Sequence, residues 1–248
     1  MHGDNPAGRL LSIVERGKAI KPQSSCRAAW SSILGVEPHD HSQMMIRMGK
    51  VMALPAQTVE ILKSDFPALY SGGNHQHVLN CFGNGFSNQR IEGNWETFIN
   101  YIDPHAVSGL QYMTHLFEGS RPSKVISDDD ALEIRTQTEV LIRSVLSSDF
   151  SPKLKKFLVE KLKAVLDALD TYYITGAEPV LNAVAATIGA AYLNPEYRDA
   201  VKTVDGNDFA NNLASLANAV TVATAAVQAG IGAVPLLEFA VKSITGSP

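Results

Sequence analysis

Cysteine is scarce in this sequence, and charged residues are few. Only Cys26 and Cys81 occur in 248 residues, so no paired-cysteine framework is present, and two free thiols suit a reducing cytosol. Lys and Arg together number 21 and Asp and Glu 25, which gives a net charge of −4. This balance provides no overall positive field, and we therefore expect no sequence-specific binding of nucleic acid.

Strand patterns are absent as well, because no stretch alternates apolar and polar residues over the length of a strand. Hydrophobic residues make up 45% and charged residues 19% of the chain, which indicates a folded globular protein. Gly, Pro, Ser and Asn occur at positions typical of helix starts and helix ends. The fold class predicted is therefore all-α. The first residues lack a charged segment followed by an apolar core, which predicts no secretory signal and a cytoplasmic protein.

The N-terminal half, 1–119, is predicted as an irregular subdomain of several helices. Capping residues and apolar spacing predict helices over about 6–19, from Ser25 to Gly35, over 42–52, from Leu54-Pro55 onward, and from Asp103-Pro104 to Gly119. The segment 71–93 holds five glycines and four asparagines, and it is predicted to be irregular or to form only very short helices. The best linker candidate is 120–126.

The C-terminal part, 127–248, is predicted as a more regular helical bundle. Ser127 precedes three aspartates, which favour the positive end of a helix, and Ser151-Pro152 begins the longest apolar helical rhythm. One core stripe combines Ile134, Leu141 and Val145 with the interposed Thr138. Asp205-Gly206-Asn207 is predicted to be a turn.

The stretch 216–241 contains no Lys, Arg or Asp, and Glu238 is its one formal charge. Its length suits a membrane span, but alanine is abundant, glycines and a proline interrupt it, and no basic cluster flanks it. We interpret it as a hairpin of two buried helices, about 208–229 and 235–245; a membrane-active segment and an oligomer interface are the alternatives. Its candidate partner or membrane residues are Leu216, Val220, Val227, Ile231 and Leu236.

Histidines cluster in two places, and imidazole and thiolate are good zinc ligands. The metal candidates are His39 and His41 in "EPHDHS" and His75, His77 and Cys81 in "NHQHVLNC". His-x-His spacing places two rings on one face only in a strand, and neither segment is predicted to be one. The helical His-Glu-x-x-His motif is absent, so we interpret these histidines as loop or capping residues and assign no metal.

Motifs for other chemistry are lacking too. The sequence has no Gly-x-Ser-x-Gly elbow and no phosphate-binding glycine motif, so we predict no catalytic residue and no cofactor. One basic patch lies on the long C-terminal helix. Its lysines are interpreted as solubility charges or as an anchor to a partner or membrane, with Lys155, Lys156 and Lys163 as candidates.

Two segments resemble stretches in a group of uncharacterised bacterial all-helical proteins. One holds Ser25, Cys26, Arg27 and Trp30, and the other, within 127–196, holds Tyr172, Gly176 and Glu178. The resemblance implies a bacterial protein in a mobile-element or defence context, and it supplies no catalytic residue.

The function expected is that of a non-enzymatic helical interaction protein in bacterial defence or stress signalling, with a protein partner or a second copy of the chain. A membrane-perturbing effector that inserts its C-terminal hairpin, 208–245, is the first alternative. A metal-dependent enzyme that uses the histidine loops is the second.

Overall fold

The computed structural model describes residues 4–73, 75–120, 125–200 and 202–224. It is 80% helical, and no strand occurs within these ranges. The prediction of an all-α fold is confirmed. The chain divides into two compact units, Met1–Pro122 and Ser123–Pro248. The division falls inside the predicted linker 120–126, of which 121–124 lie outside the described residues.

Seven helices form the described part of the first unit. They are α1 (Pro6–Lys18), α2 (Cys26–Leu34), α3 (His41–Asp65), α4 (Pro67–Ser71), α5 (Gln76–Asn88), α6 (Glu96–Ile99) and α7 (Pro104–Ser120). Helix α1 packs against α3 and α7, and α5 packs against α6 and α7. The Asn5 side chain accepts a hydrogen bond from the Gly8 backbone and caps α1, whose bounds agree with the helix predicted over about 6–19.

Aromatic side chains fill the core of this unit. The rings of Trp30 and Trp95 meet edge to face at 5.1 Å between centroids, and Phe98 contacts both. Each indole nitrogen has a partner, because that of Trp30 donates to the Gln89 amide oxygen and that of Trp95 donates to the Gly17 carbonyl, both at 2.8 Å. These bonds satisfy the polar atoms of two side chains that have no exposed surface.

The predicted break between 42–52 and a helix starting at Leu54-Pro55 is wrong. A single helix, α3, runs through both segments and contains Pro55. Proline removes one backbone hydrogen bond, but Val51, Leu54 and Leu62 continue one buried face across it. Burial of that face outweighs the local penalty.

The prediction that 71–93 is irregular or only briefly helical is also wrong. Helix α5 covers 13 of these residues, Gln76–Asn88. Val78, Cys81, Phe82 and Gly85 follow helical spacing and are all buried. Tertiary burial therefore overrides the low helix propensity of glycine and asparagine.

Six helices form the described part of the second unit. They are α8 (Asp128–Ser147), α9 (Pro152–Asp170), α10 (Tyr172–Thr175), α11 (Glu178–Leu193), α12 (Pro195–Ala200) and α13 (Val204–Ala223). Helix α8 packs against α9 and α13, and α11 packs against α9. Ile134, Thr138, Leu141 and Val145 form the buried stripe of α8, as predicted.

Serine caps begin two of these helices where the sequence predicted them. The Ser127 and Ser151 side chains accept from the backbone of Asp130 and Leu154 at 3.1 Å each. The predicted turn at 205–207 is wrong, because these residues lie in the first turn of α13. Its cap is Thr203, whose hydroxyl accepts from the Gly206 backbone at 3.2 Å. The predicted first hairpin helix, 208–229, thus begins earlier, at Val204, and the predicted second, 235–245, lies outside the described residues.

Candidate functional site

The candidate metal ligands of the sequence lie in three places of the first unit. His39 precedes α3 and His41 is its first residue, and both are exposed. His75 precedes α5 and stacks on the Tyr70 ring at 4.9 Å. Only His77 and Cys81, inside α5, come together, with 3.5 Å between the His77 Nε2 and the Cys81 sulfur.

Helix α5 is the reason that these two side chains meet. Residues four apart lie on one face of a helix, so His77 and Cys81 are neighbours although they are not in a His-x-His arrangement. Cys81 lies on the buried side, whereas the His77 side chain is 42% exposed. The pair therefore sits at the edge of the core, where an imidazole is reachable from solvent and the thiol lies just below it.

Asp103, which the sequence reasoning missed, completes the cluster from the start of α7. Its two carboxylate oxygens lie 2.9 and 3.1 Å from the His77 Nε2, and Oδ1 also accepts from the Ala106 backbone at 2.7 Å. The ligand atoms of His77, Cys81 and Asp103 all lie within 4.8 Å of one another. Within the described ranges, no other group of three such side chains is as close.

The electrostatics differ between the two acidic groups of this cluster. The backbone N–H of Ala106, and next His77, lower the pKa of the Asp103 carboxyl, so it is ionised at neutral pH. Burial, and next the charge of Asp103, raise the pKa of the Cys81 thiol. The thiol is thus protonated at neutral pH and is a poor nucleophile unless a cation replaces its proton.

A second feature lies on the side of α8 that faces away from its core. Leu132, Val140 and Leu146 are 63%, 43% and 57% exposed. We call these three residues the α8 outer face. Leu132 and Leu146 lie within about 40° of each other around the helix axis and about 21 Å apart along it. This side of α8 therefore carries large apolar side chains among charged ones, which include Glu139 and Arg143.

The three lysines proposed as a partner or membrane surface make different contacts. The Lys155 ammonium donates to the Leu146 carbonyl at 3.0 Å, beside the α8 outer face. Lys156 lies 4.0 Å from Glu160 on the same helix, and Lys163 is exposed further along α9. Of these three lysines, Lys155 is the one that is hydrogen-bonded to an exposed apolar residue.

The candidate partner or membrane residues of the apolar stretch are buried where the structure describes them. Leu216 and Val220 have no exposed surface and belong to the core of the second unit. In this structure α13 turns both residues inward, as the interpretation of the stretch as buried helices expected. Val227, Ile231 and Leu236 lie outside the described residues.

Across the described helices, the combination of length and apolar character that a bilayer crossing requires is not found. The membrane-active hairpin was predicted largely from residues beyond 224, which are not described, and it stays a prediction.

Comparison of the chain with protein-family models, with curated proteins and with solved structures gives no match. The resemblance to uncharacterised bacterial proteins therefore stays a prediction.

Proposed function

We propose that this is a helical interaction protein that binds another helix along the α8 outer face. The observation that carries the proposal is the exposure of Leu132, Val140 and Leu146 on one helix whose opposite side already forms the core. Single exposed apolar residues are common on protein surfaces. Leu132 and Leu146 lie on one side of the helix and form an apolar stripe to which a partner helix can dock, with Val140 at its margin.

The stripe is complementary to itself, which favours a second copy of this chain as the partner. When two α8 helices run antiparallel about Glu139, Leu132 of one copy meets Leu146 of the other, because each is seven residues from the centre. The same arrangement is isologous, so every contact occurs twice.

Charges beside the stripe match in this antiparallel arrangement. Glu133 follows Leu132, and the Lys155 ammonium is bonded to the Leu146 carbonyl, so Glu133 of one copy comes near Lys155 of the other. Glu139 lies near the two-fold axis, one turn from Arg143 of the second copy, which offsets the repulsion between the two Glu139 side chains. A parallel arrangement would instead place Glu133 beside Glu133.

The expected association is weak. One helix face buries less than the roughly 1,200 Å² of total area that marks the lower end of stable interfaces. We therefore expect a dimer that forms at micromolar or higher protein concentration and dissociates on dilution.

Sedimentation equilibrium of the full chain over a range of concentrations tests the proposal. Leu132→Glu and Leu146→Glu should each yield a monomer. Because the interface is symmetric, each substitution would bury one charged side chain from each of the two copies. Leu193→Glu is the matched control, since Leu193 is 74% exposed in the same unit but lies on α11. A wild-type chain that stays monomeric at every concentration, or a control that dissociates equally, would contradict the proposal.

A charge exchange tests the antiparallel arrangement separately. Glu133→Lys and Lys155→Glu should each weaken association, because either change places like charges together at both ends of the stripe. The double variant should recover it, because each copy then supplies one exchanged charge to each pair. Circular dichroism of each variant checks that the helices are retained.

The cellular setting of such a protein rests on other grounds. Its cytoplasmic location is inferred from the two free thiols and the composition, and a bacterial defence or stress setting is inferred from the resemblance at Ser25–Trp30 and Tyr172–Glu178. Both are parts of the proposal.

A further inference from the structure

We propose that His77, Cys81 and Asp103 form a binding site for one zinc ion in the first unit, with a fourth coordination position open to solvent. The site is separate from the α8 outer face and does not depend on the proposed function. It explains why an imidazole, a thiol and a carboxylate from two helices converge at one edge of the core.

The distances between the ligand atoms are close to those that zinc imposes. Zinc bonds of about 2.3 Å to sulfur and 2.0–2.1 Å to nitrogen place these two atoms about 3.6 Å apart in a tetrahedron, and nitrogen and oxygen about 3.3 Å apart. The corresponding separations are 3.5 Å between the Cys81 sulfur and the His77 Nε2, and 2.9 to 3.1 Å between that nitrogen and Asp103. The third separation, between the Cys81 sulfur and Asp103, is within 4.8 Å, against about 3.6 Å in a tetrahedral site, so a carboxylate shift of about 1 Å completes the geometry.

The proton balance of binding is simple. The Cys81 thiol gives up its proton to solvent as the Zn–S bond forms. The neutral imidazole carries its proton on Nδ1, so that the Nε2 lone pair faces the ion in place of the present hydrogen bond to Asp103. The ion thus takes the place of the hydrogens between these three side chains, and the thiol proton is released to solvent.

Each ligand is held in place by structure outside the site. Helix α5 fixes His77 and Cys81, and the bond from the Ala106 N–H fixes the Asp103 carboxylate while leaving Oδ2 available. The His105 ring lies against the His77 ring at 4.8 Å between centroids and restrains its orientation. Support of this kind raises metal affinity by limiting ligand motion.

The donor set selects the type of metal. Thiolate and imidazole ligands suit zinc and disfavour Mg²⁺ and Ca²⁺, which prefer oxygen. With three protein ligands, the fourth position is open, and it faces the side on which His77 and Asp103 are 42% and 43% exposed. The competing interpretation is a plain ion pair between His77 and Asp103 that happens to lie over a buried thiol.

Cobalt titration of the full chain, freed of metal and kept reduced, distinguishes the two interpretations. Zinc binding predicts one Co²⁺ per chain, a thiolate-to-cobalt charge-transfer band, tetrahedral visible bands, and displacement of cobalt by zinc. Cys81→Ser should abolish the charge-transfer band. His77→Gln and Asp103→Asn should weaken binding by more than the roughly 10- to 100-fold typical of outer-shell changes.

The variants and controls are chosen to separate binding from folding. Asparagine at 103 still accepts the hydrogen bond from Ala106, so this variant keeps the helix cap while losing the charge. His115→Gln is the matched control, because His115 and Glu118 form another histidine–carboxylate pair at 3.4 Å without a thiol. Cys26→Ala removes the other buried thiol. Both controls should bind cobalt like the wild type, and His105→Ala should weaken binding by no more than the roughly 10- to 100-fold typical of outer-shell changes.

Three results would overturn the proposal. The first is a wild-type chain without a charge-transfer band. The second is a band that is retained in Cys81→Ser and lost in Cys26→Ala. The third is a loss of affinity in His105→Ala as large as that in His77→Gln, because His105 would then be a fourth protein ligand and the fourth position would not be open. Peptide mass spectrometry gives a second measurement on the native chain. Zinc should slow alkylation of Cys81, and an alkylation rate unchanged by saturating zinc contradicts the proposal.

Discussion

The close approach of α5 and α7, which brings Asp103 to His77 and Cys81, depends on a missing methyl group at Gly109. A Cβ atom at Gly109 would lie 2.7 Å from Val78 Cγ2, well inside van der Waals contact. Val78 is 4% exposed and β-branched, so it has little freedom to turn away. We predict that Gly109→Ala and Val78→Ala are strongly coupled in their effects on the free energy of unfolding.

The magnitude follows from three terms. Overpacking in Gly109→Ala costs about 1–3 kcal/mol, and alanine regains about 1 kcal/mol of helix propensity, so the net cost is about 0–2 kcal/mol. Val78→Ala costs about 2 kcal/mol through lost apolar burial. In the double variant the new methyl group occupies space that valine has vacated. Its cost should therefore fall below the sum of the two single costs by about 1–3 kcal/mol.

Urea unfolding followed by tryptophan fluorescence measures this coupling in the first unit alone. Both tryptophans of the chain, Trp30 and Trp95, are buried in that unit. Gly49→Ala is the control, because a Cβ at this α3 glycine meets nothing within 4 Å and should stabilise the unit by up to about 1 kcal/mol. Additivity of the Gly109 and Val78 changes to within about 0.5 kcal/mol would refute the reasoning.

Three further predictions concern the same unit and use the same fluorescence assay. Asn5→Ala should destabilise it by about 1–2 kcal/mol, because the hydrogen bond that caps α1, between Asn5 and the Gly8 backbone, is lost. An unchanged free energy of unfolding would contradict this prediction. Pro55→Ala should stabilise it by about 1 kcal/mol or more, since α3 regains a backbone hydrogen bond; a loss of stability would show that the ring's packing matters more. Burial raises the pKa of the Cys26 thiol from 9.0 to about 11. The unfolded chain then loses this proton first, so stability should fall by about 2 kcal/mol as the pH rises between these values, and less in Cys26→Ala.

The parts of the fold that the sequence predicts correctly are those determined within a few residues. Ser25, Ser127 and Ser151 each cap a helix through a bond to the backbone three residues later. Such a bond depends on local geometry alone, so the residue types are enough to indicate it. The stripe of α8 is predictable for a similar reason, because helical spacing places Ile134 and Leu141 on one side wherever the helix packs.

The errors occur where distant residues decide the local structure. Pro55 and the glycines of α5 favour a helix break, and burial against other helices overrides that preference. In the candidate zinc site, His77 and Cys81 are four residues apart and would have been paired had 71–93 been predicted helical. Asp103 is 26 residues from His77 along the chain. No local pattern joins it to them, and only the packing of α5 against α7 does.

The composition of α5 and the geometry of the zinc site are therefore linked. Asn80, Gly83, Asn84 and Gly85 give α5 a weak intrinsic helix preference, with each glycine costing about 1 kcal/mol relative to alanine. His77 and Cys81 share a face only while that helix is formed. An ion bound to both stabilises the helical state over the unfolded one, by an amount that grows with the ratio of ion concentration to dissociation constant. The glycines that make α5 hard to predict from the sequence are thus also the residues that would make formation of this helix depend most strongly on bound zinc.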